Sequence, residues 1–339
     1  MNTIAIAEKG LLPYWLLRMG IRSRVNNKLN IERSKTEAEQ QSFIKELTSS
    51  QIAIDTDSAN EQHYEVPTRF YQLCLGEHLK YSSAFWPEGC SNLNEAEAAS
   101  LQQIAERAQL ENGQKILDLG CGWGSFSLWA AKQYPDSTIL SVSNSKTQAV
   151  SIREETRKRR LNNIIVTTCD INEFDPQTKF DRIVSVEMLE HVRNHSALFE
   201  RISTWLHEKS IMFIHVFSHR KLAYEFDASN NNEWMAKYFF TGGIMPSHDL
   251  LPSFNKHLEF TNNWYLDGTH YEKTANAWLD NMNQHSDEIL RLFENTYGAG
   301  NAKQWMWRWR LFYLSCAELF GYKDGSEWGV SHYTLKKRA

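Results

Sequence analysis

The segment KILDLGCGWGSFSLWAAKQY, residues 115–134, constrains the fold more than any other stretch of the 339 residues. A short apolar run, three glycines at alternate positions and then apolar residues at helical spacing predict a strand, a tight turn and a helix. That order sets unpaired N–H groups and the positive end of a helix dipole beside the turn, where glycine lets backbone approach a ligand. The rhythm continues downstream. STILSVSNS, NIIVTTCD, FDRIVSVEML and SIMFIHVFS read as strands, and KTQAVSIREETRKRRL and HSALFERISTWLHE as the helices between them. Alternating strands and helices predict an α/β fold, a parallel sheet with helices on both faces and ligands at the C-terminal strand ends.

Around this core, residues 1–110 read as a helical region covering the site and 111–218 as the α/β core. Residues 219–260, containing NNNEWMAKYFFTGGIMPS, read as an inserted cap. Residues 261–339 supply strands and helices that return to the sheet, through LEFTNNWYL and WGVSHYTLKK. Near the N-terminus Leu11, Leu12, Trp15, Leu16 and Met19 share one helical face that could dock on the body of the protein or lie on a membrane surface; with few apolar positions and a weakly basic opposite face, docking is the expectation.

A net charge of −4 gives no electrostatic footprint for nucleic acid or an anionic bilayer, so the expected partner is a small molecule. Five scattered cysteines without a CxxC pair indicate neither a disulfide framework nor a zinc site. They suit a reducing, cytoplasmic setting. No run of eighteen apolar residues predicts a membrane span, and the N-terminus does not read as a signal peptide. Twelve tryptophans, most of them outside the glycine turn, suggest aromatic walls around an apolar pocket as well as ordinary core packing.

A dinucleotide-binding turn requires G-x-G-x-x-G and an acidic residue ending the second strand. Here Gly120, Gly122 and Gly124 are spaced G-x-G-x-G after Asp118, and the second strand ends in SVSNS without a carboxylate. The DLGCGWG segment instead resembles motif I of the S-adenosylmethionine-dependent methyltransferases, and Asp170 at the end of TTCD matches the acid that this superfamily places on the adenine amino group. SVSNSKTQ resembles a segment of the cyclopropane fatty-acid synthases and their amine-methylating relatives. The resemblance runs through YSSAFW, LNEAE, VEMLEHV, FTGGIMPS, HYEKT and FGYKDGSEWGVSHYTLKK, and within the branch these blocks resemble the coclaurine N-methyltransferases. It implies a class I methyltransferase with an N-terminal helical extension and an inserted helical cap. It further implies S-adenosyl-L-methionine as cofactor, no metal, a small amine as substrate, and a homodimer as one open assembly.

Carried onto this chain, the resemblance assigns the cofactor to Tyr81, Ser82, Asp118, Gly120, Gly122, Gly124, Asn144, Ser145, Gln148, Asp170 and Ile171. Glu187, Glu190 and His191 follow the fourth strand at the ligand-bearing edge. Carboxylates there attract an ammonium, and His191 or Glu190 accepts its proton. The same residues also suit the start of a helix, Glu190 near the positive dipole end and His191 exposed. Phe85, Trp86, Tyr238, Phe239, Phe240, Trp328 and His332, with His215 and His219, are expected to wall the acceptor pocket. Ser83 and Glu187 depart from the synthases, which usually have Cys and Gly there. His215 points the other way, matching a histidine that the synthases use around a bound bicarbonate. A lipid-modifying synthase is thus the alternative, and a non-catalytic scaffold sits poorly with an intact DLGCGWG beside EMLEH.

Overall fold

The computed structural model describes residues 3–54, 66–229 and 233–338. Nine strands are described: β1 Lys115–Leu119, β2 Thr138–Ser143, β3 Ile164–Thr168, β4 Phe180–Val186, β5 Leu206–His219, β6 Tyr224–Glu225, β7 Ile244–Met245, β8 Leu258–Asp267 and β9 Trp328–Lys337. Seven form one sheet in the order β3-β2-β1-β4-β5-β9-β8, while β6 and β7 make a separate two-stranded ribbon. β1 to β5 run parallel, and β9 is inserted antiparallel between β5 and β8. The two strand segments expected to return from the C-terminal region do so. The order reverses beside β1, so the ends of β1 and β4 open a crevice at the switch point.

Residues along β1 alternate between the two faces. Ile116 packs with helices α5 (Leu93–Arg107) and α6 (Ser125–Gln133), while Leu117 and Leu119 join the core under α8 (His195–Trp205). Both faces are covered, as a parallel sheet requires. α7 (Lys146–Lys158) links β2 to β3.

The N-terminal region is helical: α1 Thr3–Ala7, α2 Tyr14–Ser34, α3 Glu37–Ser49 and α4 Thr68–Cys74. Between β8 and β9 the chain forms α10 Thr269–Gln284, α11 Ser286–Tyr297 and α12 Ala299–Phe320. These two groups share a second core, in which Phe70, Tyr71, Trp278, Phe293, Trp309 and Tyr313 are buried. Among the described residues the segment after β5 holds the β6–β7 ribbon, the six-residue helix α9 (Trp234–Phe239) and a short 3₁₀ turn. β8 begins at Leu258, the first residue of LEFTNNWYL.

The predicted docking face of α2 is corrected by the structure. Leu11, Trp15, Leu16 and Met19 are exposed, and of that set only Leu12 packs inward. α2 docks instead through Leu17, Ile21, Val25 and Leu29, because Arg18 and Arg22 on the neighbouring stripe both pair with the buried carboxylate of Glu318 on α12. A buried carboxylate needs its cations, and this fixes the rotation of the helix. Among the described residues no helix is long and apolar enough to cross a membrane.

Gly268 opens α10, the helix that brings His270, Tyr271 and Thr274 to the site. A Cβ at Gly268 would lie 2.0 Å from the Phe320 carbonyl oxygen and 2.4 Å from that of Trp328. Both obstacles are backbone, so neither can swing away. Gly268→Ala is expected to destabilise the protein by about 2 kcal/mol and lower Tm by about 3 °C, as read by calorimetry.

Candidate active site

Two clefts meet at the C-terminal ends of β1 and β4. One, of about 820 Å³, is lined by Gly120, Gly122, Ser143, Asn144, Gln148, Cys169, Ile171, Glu187, His191, Thr241 and Gly242 among others. The second, of about 570 Å³, is lined by Lys80, Tyr81, Ser82, Asp118, Gly120, Gly122, Trp123, Ser125, Gln148 and Glu187 among others. Gly120, Gly122, Gln148 and Glu187 belong to both, so the glycine turn and Glu187 stand where the clefts join.

The turn has the geometry its glycines permit. Gly120, Gly122 and Gly124 have φ of 85°, 51° and 82°, in the left-handed region that glycine enters without strain. A Cβ on Gly124 would strike Ile152, whereas at Gly122 the space is open toward the cleft. The backbone N–H groups of Gly120 and Cys121 both bond to Val142 O, tying the turn to β2. Asp118 is buried, accepts a hydrogen bond from Ser127 Oγ and is pushed up to about 7 by burial. Ser145 caps α7 by accepting from Gln148 N–H, and Gly124 precedes α6; neither lines the two clefts. Asp170 turns the chain by accepting from Asn172 N–H, while its neighbours Cys169 and Ile171 face the cleft.

Among the described residues, three buried polar atoms lining the second cleft have no hydrogen-bond partner: Trp123 Nε1, Ser125 Oγ and Gln148 Nε2. Buried donors are nearly always satisfied, so this cluster marks where a polar ligand supplies the acceptors. The amino-acid end of S-adenosylmethionine, with its carboxylate, fits such a donor set beside a helix N-terminus.

Glu187 ends β4 with φ of 47°, an uncommon conformation for a residue with a Cβ, and its N–H bonds to His215 O. The side chain is held by donors from three other segments. Oε1 accepts from Ser83 N–H at 2.9 Å and pairs with His215 Nε2 at 3.1 Å, and Oε2 accepts from Tyr271 O–H at 2.8 Å. Burial raises its carboxyl, and the Lys80 ammonium, the Ser83 N–H and the Tyr271 O–H oppose that rise. Lys80 is itself buried and lowered to about 8 by desolvation, while bonding to Ser82 Oγ and Ser83 O. Glu97 receives the N–H groups of Gly76 and His78 and so fixes the loop leading to Lys80.

The expected pairing of Glu190 with His191 is divided by the structure. His191 lines the cleft, stacks on Phe240 at 5.0 Å and is lowered to about 4 by burial. Glu190 lies behind it, accepting from Phe217 N–H at 2.7 Å, and burial together with the Glu187 charge raises its carboxyl well above the usual range. Burial and the Glu187 charge thus press Glu190 toward its neutral form, while Lys80 and the donors around Glu187 favour the ionised form of that acid.

Most of the expected acceptor wall is corrected to a structural role. Phe239 stacks in the core on Phe312, and Trp328 is buried with its N–H on Tyr224. Tyr238 packs on Trp234, Trp305 and Arg308, while His219 receives the N–H groups of Lys221 and Leu222. Phe85 stacks on His270, and Trp86 bonds to His270 and Thr274, pinning the 83–86 segment to α10. His215 and His332 lie behind Glu187. Phe240 reaches the cleft through His191. Lys80, Trp123, Ser125 and Tyr271 were missed as site residues, although Tyr271 lies inside the conspicuous HYEKT and Lys80 directly precedes YSSAFW.

The sheet order, the glycine turn at its switch point and the donor-lined cleft define a class I methyltransferase that uses S-adenosylmethionine. Within that class, the chain belongs to the mycolic acid cyclopropane synthetase family, whose model matches residues 53–326. It is 33% identical to (S)-coclaurine N-methyltransferase of Thalictrum flavum subsp. glaucum, over 98% of this chain and 94% of that one. A cyclopropane-fatty-acyl-phospholipid synthase of Escherichia coli is 28% identical, over 80% of this chain and 66% of that one. A crystal structure of coclaurine N-methyltransferase bound to N-methylheliamine and SAH superposes with a TM-score of 0.95 at 33% identity, covering 99% of both chains.

Trp123→Phe and Ser125→Ala each remove a polar group that has no hydrogen-bond partner among the described residues, so Tm without cofactor should stay near that of the parent. The dissociation constant of S-adenosylmethionine should rise about tenfold in each, as a lost hydrogen bond to a charged group implies. Titration calorimetry reads this directly. Unchanged affinity in both variants places the amino-acid end elsewhere.

Proposed function

We propose that the protein transfers a methyl group to the nitrogen of a small cyclic or aromatic amine. The observation that carries this reading is the Glu187 carboxylate, held by three donors at the junction of the two clefts beside neutral His191. An amine arrives largely as its ammonium at neutral pH, and a fixed negative charge draws and orients it. A double bond in an acyl chain has no such need. The coclaurine N-methyltransferases support the same reading, since this chain matches them over nearly its whole length.

S-adenosylmethionine supplies the electrophilic methyl group, which an in-line nitrogen lone pair must approach to about 3 Å. Gly120, Gly122, Trp123, Ser125, Asn144 and Gln148, which line the two clefts, would hold this cofactor. The amine must lose its proton to expose the lone pair. His191 offers an unprotonated ring for it, and the Glu187 charge stabilises the resulting imidazolium. Glu190, being neutral, leaves a single negative charge facing the acceptor. Its bond to Phe217 N–H holds the turn that carries His191. The stacked Phe240 ring and the Thr241–Gly242 edge form the apolar side on which a planar acceptor rests.

Labelled S-adenosylmethionine, offered with a panel of cyclic secondary and tertiary amines and with vesicles of unsaturated phospholipid, is expected to label an amine. Label in the acyl chains would replace this reading with the lipid one. Among variants, His191→Ala should lower kcat by about 10²- to 10⁴-fold and leave cofactor affinity unchanged. Glu190→Gln mimics the protonated acid and should stay within a few-fold of the parent, about 1 kcal/mol or less of barrier. Large losses of kcat in Glu190→Gln would return the proton-accepting role to Glu190.

A further inference from the structure

Behind Glu187 the sheet carries a row of side chains in which Val186 borders the second cleft while His215, His332 and Trp264 line neither. Val186, His215, His332 and Trp264 are successive partners across β4, β5, β9 and β8. Both histidines are buried, 2% and 1% exposed, and their ring centroids are 4.6 Å apart. His332 Nε2 lies 2.8 Å from His215 Nδ1, and His215 Nε2 lies 3.1 Å from Glu187 Oε1. At the far end Arg107, the last residue of α5, bonds to His332 Nδ1 while its guanidinium covers the Trp264 ring at 4.6 Å.

The chemistry of the end groups sets the direction of every bond in this row. A guanidinium can only donate, so His332 Nδ1 carries a lone pair. Burial and the nearby charges of Arg107 and Lys80 push both imidazoles well below their ordinary range, and both are neutral. A neutral ring with its lone pair on Nδ1 has its proton on Nε2. His332 therefore donates from Nε2 to His215 Nδ1, and His215 donates from Nε2 to Glu187. The row is not a proton exit, because its outer end has no lone pair to receive a proton.

We propose that Arg107, His332 and His215 are positioning residues forming a one-way chain of donors that keeps the Glu187 carboxylate ionised and aimed at the acceptor. The proposal rests on the role given to Glu187 above. Other groups facing Glu187 are Lys80 and the Ser83 N–H from the 80–83 segment, the Tyr271 hydroxyl from α10, the Cys316 thiol from α12, and Glu190 and His191. Lys80 is the one cation among them, and it donates to Ser82 Oγ and Ser83 O. The histidines deliver the influence of a second cation, Arg107, whose own guanidinium does not touch the carboxylate.

Nitrogen-15 NMR of the histidine-labelled full chain tests the direction of the bonds, with His215 and His332 assigned through substitution. Both rings are expected to be neutral with the proton on Nε2 at neutral pH. Arg107→Met should release the His332 tautomer, and Arg107→Lys should retain it, because an ammonium also only donates. A proton on Nδ1 of either ring in the parent protein overturns the chain. The rate test uses a cyclic secondary amine that the enzyme methylates. Activity requires ionised Glu187, and loss of a donor raises its pKa in the folded protein. The acid limb of kcat should therefore move to higher pH by about one unit in Arg107→Met and His332→Phe. Below that limb the rate falls about tenfold, above it the parent rate returns, and Arg107→Lys restores the parent profile. An unmoved limb in folded Arg107→Met overturns the proposal. If no amine is methylated, the amine reading fails, and the histidine tautomers still decide the chain.

Discussion

The Glu187 carboxylate, 9% exposed, is the group around which the site is assembled. An isolated buried carboxylate costs several kcal/mol, and only close donors offset that cost. Those donors come from places far apart in sequence: the 80–83 segment before the core, β5 at its centre and α10 beyond the cap. The carboxylate is therefore stable only once β4 and β5 are in register and α10 has docked. Thr274 and His270 reinforce this by pinning the 84–86 backbone to the same helix. The N-terminal extension and the helices between β8 and β9 thus do more than cover the core. They complete the cradle that lets a charge stay beside the cofactor cleft.

Two acids three residues apart then acquire different roles from their surroundings. Glu187 meets three donors and a cation, whereas Glu190 meets two backbone N–H groups, its own and that of Phe217, and the charge of Glu187. Like charges at this spacing oppose each other in a buried site, so the acid with fewer compensating groups is pressed harder toward its neutral form. The left-handed backbone at Glu187 serves the same end, turning the side chain off the strand toward Ser83 and Tyr271. Strain of this kind is retained where the surrounding contacts over-determine it.

Much of the fold was legible because its signals are local. Alternating strand and helix patterns, the glycine turn and the two returning strands depend on neighbouring residues, and the sheet follows from them. The cleft at the strand ends was legible for the same reason: Gly120, Gly122, Asn144 and Ile171 sit on the turns that the pattern predicts, and Gln148 in the first turn of α7. The acceptor side was less so. Aromatic residues such as Phe239 and Trp328 look alike in sequence whether they line a pocket or fill a core, and here the second core claims them. Exposure of Leu11, Trp15 and Met19 was equally hidden, since the partner that orients α2 is Glu318, some three hundred residues away. Lys80 and Tyr271 belong to the site through long-range packing that carries no periodic signature.

His215 is the residue on which the amine and lipid readings divide. Its resemblance to a histidine used around a bound anion in the synthases favours a lipid acceptor when the sequence is taken alone. In the fold, its Nε2 is already occupied by the Glu187 carboxylate and its Nδ1 by His332. An anion belonging to the chain itself takes up the histidine's Nε2, and Ser83 N–H and Tyr271 O–H bond to that same carboxylate. A permanent, covalently attached negative charge suits an acceptor that arrives positively charged. With Glu187 present, the histidine ceases to be evidence for the lipid chemistry and becomes part of the support for the amine.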